Sequence, residues 1–174
     1  AGAQLDPAGF LITQAANAQG SPAVAFDGTE FLVAWEGDRN GNALDIYGAR
    51  VTLDGTVLDP AGFVISQATE DQRYPTACFD GSSFLVAWED FRNDAAGDIY
   101  AARVTPNGEV RDLAGFAISQ TAHEQLLPAA AFDGTNSLVV WADYRDNTRF
   151  HIYGARVTPD GTVLEGHGVI PDIV

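Results

Sequence analysis

Three groups of residues have types and spacings that suit chemistry. Carboxylates come first: the chain carries 24 Asp and Glu against 9 basic residues, for a formal charge of −15. Two carboxyl groups flanking a glycosidic bond suffice for acid-base hydrolysis of a sugar, so acidic loops around a channel mouth offer hydrolase chemistry, with Glu124 and Asp143 as candidates. Histidine is the second group. His123 and His151 stand in loops near Glu124, Asp143 and Asp146, a donor set suited to a divalent transition metal or to two exposed imidazoles. The third is Asp38-Arg39-Asn40-Gly41-Asn42 with Asp45 beyond, in which Asp38, Asn40, Asn42 and Asp45 set oxygen donors at intervals loosely like a calcium loop. The matching positions hold Phe91, Asn93 and Ala95 in one place and Tyr144, Asp146 and Thr148 in another, so a calcium site would be confined to the first. No other cofactor is called for.

Other chemistries are excluded. There is no Lys for a Schiff base and no Gly-x-Ser-x-Gly elbow. The single Cys78 takes the place of Ala25 and Ala131, a small interior position rather than a nucleophile's. The acidic balance argues against nucleic acid and anionic lipid. No apolar run approaches the ~18 residues of a membrane span.

Those residues recur at a fixed interval, which identifies the elements that must position them. Trp35, Trp88 and Trp141 are 53 residues apart, as are Arg50, Arg103 and Arg156. Three copies cover 5–57, 58–110 and 111–163 of a single unit, and 164–174 begins a degraded fourth that reads as a partial closing strand. Each copy reads as four strands: a leading strand such as Gly9 to Thr13, a small apolar inner strand such as Ala23 to Phe26, a third from Phe31 to Trp35, and a fourth from Ile46 to Thr52. Asp27-Gly28 and Asp54-Gly55 are tight-hairpin signals. The apolar run Phe31-Leu32-Val33-Ala34-Trp35 implies burial on both faces, which favours sheets stacked face to face. The expected fold is therefore all-β, a β-propeller of three four-stranded blades of 53 residues each.

The motifs Phe-Asp-Gly-Thr-x-x-Leu-Val-x-Trp and Asp-Ile-Tyr-Gly-Ala-Arg-Val-Thr-x-Asp-Gly-Thr-Val-Leu resemble the propeller-type repeats of large secreted bacterial proteins. The resemblance implies an exported or surface location. It assigns no activity.

Three blades leave a ring open. The expectation is a homodimer that closes six blades, the leading strand of each subunit completing the last blade of the other; a fragment of a longer propeller is the alternative. With no Met even at position 1, the sequence reads as a processed chain or a piece of a larger one. Loops 14–22 and 36–45 and their counterparts vary between copies and share one face, where binding is expected. Gln19, Gln72 and Gln125 are placed to ring the channel mouth, either meeting sugar hydroxyls or bracing the fold. Asp38, Asp90, Asp143, His123 and His151 complete the candidate binding set. Arg39, Arg92, Arg145, Arg50, Arg103 and Arg156 are expected in ion pairs that staple blades, with partners among Asp27, Asp80, Asp133, Glu36, Glu89, Asp90 and Asp143. The leading functional expectation is a non-enzymatic module binding a glycan or an extracellular protein; the alternatives are an extracellular hydrolase of glycosidase or esterase type and a purely structural module.

Overall fold

The computed structural model describes residues 5–39 and 41–164, which contain eleven strands and no helix. The first sheet is β1 (Gln19–Phe26), β2 (Glu30–Gly37), β3 (Asp45–Thr52) and β4 (Phe63–Ser66), paired in that order and antiparallel throughout. The second repeats it with β5 (Gln72–Phe79), β6 (Phe84–Asp90), β7 (Asp98–Val104) and β8 (Phe116–Ser119). The third has β9 (Gln125–Phe132), β10 (Ser137–Asp143) and β11 (His151–Val157). No helix of the described residues is long and apolar enough to cross a membrane.

Turn chemistry explains the meander. Gly28, Gly81 and Gly134 sit at φ 102°, 91° and 100°, a region that glycine enters without strain. Beside Gly28, the Asp27 carboxylate accepts the backbone N–H groups of Thr29 and Glu30 at 2.7 Å each, closing the turn. Asp80 and Asp133 do the same at their hairpins. These aspartates close turns.

The sheets stack in chain order, with β1, β5 and β9 side by side. One core lies between the first two sheets, where Leu32, Ala34 and Ile65 meet Phe84, Val86 and Trp88. A second lies between the last two, around Leu85, Ala87, Ile118, Val139 and Trp141. Every residue of β6 is buried because this strand has a sheet on each side, whereas β10 alternates and shows Leu138 to solvent. The arrangement is consistent with a partial propeller.

β4 and β8, the leading strands of the second and third copies, complete the sheet of the copy before, so the third sheet has three strands among the described residues. One strand expectation needs correction. Residues 9–13 belong to no sheet, although Ile12 packs on Trp35 and Tyr47 as Ile65 packs on Trp88 and Tyr100. Backbone pairing needs a neighbour, and a side chain can find its seat without one. The closing segment beyond Leu164 lies outside the described residues.

Candidate functional site

The loops 14–18, 38–39 with 41–44, 67–71, 91–97, 120–124 and 144–150 gather at one end of the sheets, and their local geometry repeats. Asn17, Glu70 and His123 occupy equivalent positions at φ 65°, 59° and 65°. A left-handed backbone is uncommon for residues other than glycine and is retained where surrounding bonds hold it. Gln72 supplies those bonds in the second copy. Its amide donates to the carbonyls of Thr69 and Glu70 at 3.3 and 2.7 Å and accepts the Ala68 N–H at 3.0 Å. Gln125 likewise donates to the carbonyls of Thr121 and His123, and Gln19 donates to Ala15 O at 2.9 Å. Gln72 and Gln125 are wholly buried. Of the two uses expected of these glutamines, sugar contact and bracing of the fold, their bonds go to bracing. They hold a loop backbone on which three different side chains are displayed.

Asp90 and Asp143 are also not open to ligand. Each is buried and accepts its strand's indole N–H, from Trp88 and Trp141, at 2.7 Å. Each also receives a two-pronged bond from an arginine: Arg92 at 2.7 and 2.6 Å, Arg145 at 2.8 and 2.5 Å. The guanidinium planes lie over Tyr100 and Tyr153. Burial opposes ionisation of Asp143, yet the bonds from Arg145 and Trp141 outweigh it and hold its carboxyl below the usual range. Arg39 keeps the same seat over Tyr47, 3.9 Å from the ring centre, but Gly37 stands where its carboxylate would be.

Arg50 and Arg103 pair with partners not expected for them, Asp59 and Asp112. Their Nε donates at 2.8 Å in both cases, and each aspartate also accepts the arginine's own backbone N–H. These bonds close each sheet's outer connection, and the guanidinium groups then rest near Gly108 and Gly161 of the following copy. The recurrence of Asp nine residues after Arg was visible in the sequence.

The metal expectations gain no assembled site. Among the described residues no three His, Cys, Asp or Glu side chains converge as metal ligands. His151 meets Asp146 at 2.9 Å, while His123 stacks edge-on against Tyr144. Of the calcium candidates, Asp38 caps the Gly41 N–H at 2.5 Å, Asn40 lies outside the described residues, and Asp45 accepts from the Tyr47 hydroxyl and the Gln67 amide at 3.0 and 3.1 Å.

Two adjoining clefts remain on the loop face. One, about 310 Å³, lies between the first and second copies and is lined by Asn42, Asp45, Gln67 and Glu70. The other, about 500 Å³, is lined by Glu70, Asp71, Arg73, Phe91 and Asp94. Glu70 borders both. Burial pushes the Asp45 carboxyl above its ordinary value, against the bonds from Tyr47 and Gln67, and the nearby charges of Asp38 and Asp71 add to the rise. A carboxyl whose proton affinity is raised by burial, beside a second carboxyl in one cleft, is a pairing that acid-base chemistry uses. Sequence reading placed Asp45 in a calcium loop and passed over Glu70, whose difference from Asn17 and His123 was the available signal.

No protein-family model and no curated protein matches the chain. Solved structures do. An α-L-arabinofuranosidase from Lactobacillus brevis superposes with a TM-score of 0.65 at 12% identity, over 93% of this chain and 60% of that one. A subtype N10 neuraminidase-like protein from a little yellow-shouldered bat sample gives 0.57 at 16%, covering 86% and 43%. A thermostable family-43 glycoside hydrolase gives 0.55 at 14%, covering 88% and 54%. The chain thus spans between two-fifths and three-fifths of the length of these proteins. At such identities the likeness is one of fold. It nonetheless overturns the leading expectation of a non-enzymatic binding module, because the architecture is shared with glycosidases and favours the hydrolase alternative.

Proposed function

We propose that the chain is part of an extracellular glycoside hydrolase that uses a carboxyl pair, Asp45 and Glu70, in the loop-face cleft between its first two copies. The observation that carries this reading is the raised Asp45 carboxyl in the same cleft as Glu70, which Gln72 holds on a fixed backbone. Asp45 is 3% exposed, but both bonds it accepts fall on Oδ2, so Oδ1 serves as the proton donor to the leaving oxygen, and Glu70 acts on the opposite side of the sugar as base or nucleophile. Phe91 gives the adjoining cleft an apolar wall for a sugar ring. The solved neighbours direct the first substrates toward α-L-arabinofuranosides. A panel of chromogenic glycosides headed by 4-nitrophenyl α-L-arabinofuranoside tests the proposal. Turnover that falls at least ~100-fold in both Asp45→Asn and Glu70→Gln, with melting temperatures unchanged, supports it. Absence of turnover on every glycoside, or variants as active as the parent, overturns it.

We propose that the part of the hydrolase outside this chain is a second copy of the same chain, which closes the ring. The register carries this reading: Ile46 pairs with Ser66 and Ile99 with Ser119, and both isoleucines are fully buried, whereas Ile152 of β11 is 73% exposed. The same register applied to β11 pairs Tyr153 with Leu11 and Gly154 with Phe10 of the partner, side chains now 65% and 46% exposed. The secreted location follows from the resemblance to exported bacterial repeats and from the glycosidase reading.

A further inference from the structure

The first copy lacks one carboxylate, and the donors that serve it elsewhere remain. In the second and third copies a buried aspartate accepts three side-chain donors: the indole N–H of the tryptophan two residues earlier, and Nε and Nη2 of the arginine two residues later. In the first copy that position is Gly37. The side-chain donors left buried without an acceptor are the corresponding ones, Trp35 Nε1, Arg39 Nε and Arg39 Nη2. Each unmet buried donor costs its desolvation, and more where the donor belongs to a charged group.

Part of the frame around the gap is kept. Arg39 still stacks on Tyr47 at 3.9 Å, against 4.2 and 3.7 Å for its counterparts, although its Nη2 comes within 2.6 Å of where a Cβ on Gly62 would stand, a contact not seen at the equivalent Gly115. A Cβ added at Gly37 would meet Tyr47 Cδ2 at 3.3 Å and Gln19 Cγ at 3.5 Å, and Gly37 lies in a strand with no left-handed backbone. A group the size of the missing side chain is admitted there if the Tyr47 ring gives by a few tenths of an ångström. Acetate is an aspartate side chain cut from its backbone, and formate is smaller by the methyl that would face Tyr47.

We propose that the first copy carries a binding site for a free small monocarboxylate, formed by Trp35, Gly37 and Arg39. The anion takes both arginine N–H groups in a planar two-pronged bond and the indole N–H on one of the same oxygens, as Asp90 does. Binding is a non-covalent completion of the clamp. It is independent of the glycosidase reading, because neither Asp45 nor Glu70 contributes a contact.

The chain supplies its own controls. It has three tryptophans, so the protein labelled with ¹⁵N gives three indole N–H signals. Sodium formate and sodium acetate are titrated into the 174-residue chain, with sodium chloride at equal ionic strength as reference. One indole signal, that of Trp35, is expected to move downfield and saturate with either carboxylate but not with chloride, while those of Trp88 and Trp141 stay in place. Gly37→Asp should place the Trp35 signal beside the other two, raise the melting temperature and abolish the response. Arg39→Met, which keeps an apolar stem over Tyr47, should abolish the response without the gain in stability. A Trp35 signal that ignores both carboxylates, moves equally with chloride, or still responds in Gly37→Asp overturns the proposal and leaves the gap to water.

Discussion

Trp88 donates its indole N–H to Asp90 at 2.7 Å from two positions earlier on the same strand, and the same carboxylate oxygen lies 2.6 Å from Arg92 Nη2. Alternate residues of a strand share a face, so both side chains lie on one side of β6 and the arginine folds back from the loop to complete the set. The clamp ties the loop face to the core. It recurs at Trp141 and Asp143, and its removal has a definite cost.

Asp143→Ala should destabilise the chain by about 3–5 kcal/mol, because it removes the buried carboxylate that the Arg145 fork and the Trp141 indole share. Asp143→Asn should cost less, since an amide oxygen still accepts one donor. Denaturant unfolding followed by tryptophan fluorescence measures both.

Glu89 predicts a pH dependence. Burial pushes its carboxyl from 4.5 up to about 7, with the Leu127 N–H and Arg73 opposing and Glu36 adding to the rise. The folded state therefore retains a proton that the unfolded state releases. Its stabilising contribution is complete below pH 4.5 and is lost as pH rises to about 7, a change on the order of 3 kcal/mol. Glu89→Gln, which can still accept the Leu127 N–H, should flatten unfolding free energy across that window and make the variant relatively more stable at pH 8.

Gln72→Ala removes the bonds that hold Glu70 in its left-handed turn. Glycoside turnover should fall by roughly tenfold, chiefly in kcat, at a stability cost of about 1 kcal/mol. Equal kcat values for Gln72→Ala and the parent would show that Glu70 needs no such support.

Ring closure predicts a mass by light scattering of twice 18.5 kDa. Ile152→Lys should halve it, because a charge would enter the seam where Ile46 and Ile99 are buried in the other sheets. A parent that runs as a monomer removes the closure proposal.

Cys78 is buried beside Ser137, its Sγ 3.4 Å from that hydroxyl, and burial pushes the thiol up. A disulfide-exchange reagent should react with it only at the rate at which the second and third sheets separate, so its labelling should accelerate in step with unfolding.

Much of the fold was legible because its determinants are local. A glycine after Asp27, Asp80 or Asp133 fixes a hairpin whatever lies beyond it, and apolar runs bounded by such turns fix the strands. The arginine clamps were half legible. Asp90 and Asp143 stand near their arginines in the sequence, whereas Asp59 and Asp112 lie nine residues away and were missed, although their spacing repeats.

The sequence by itself determined the repeat, the strand and turn order, the all-β class and the interior place of Cys78, since each depends on residues within one copy. Only the tertiary structure decided which polar groups are available. Gln72, Gln125, Asp90 and Asp143 resemble ligands in a list of residues, yet the folded backbone sets carbonyls and indoles within reach of them and consumes their bonding capacity. The same folding left Glu70 on a cleft, raised the Asp45 carboxyl by burying it, and kept Trp35 and Arg39 aimed at a carboxylate that Gly37 does not supply. A hydrogen-bonding group acquires its role from the partners that the fold brings to it, and those partners come from other strands and loops.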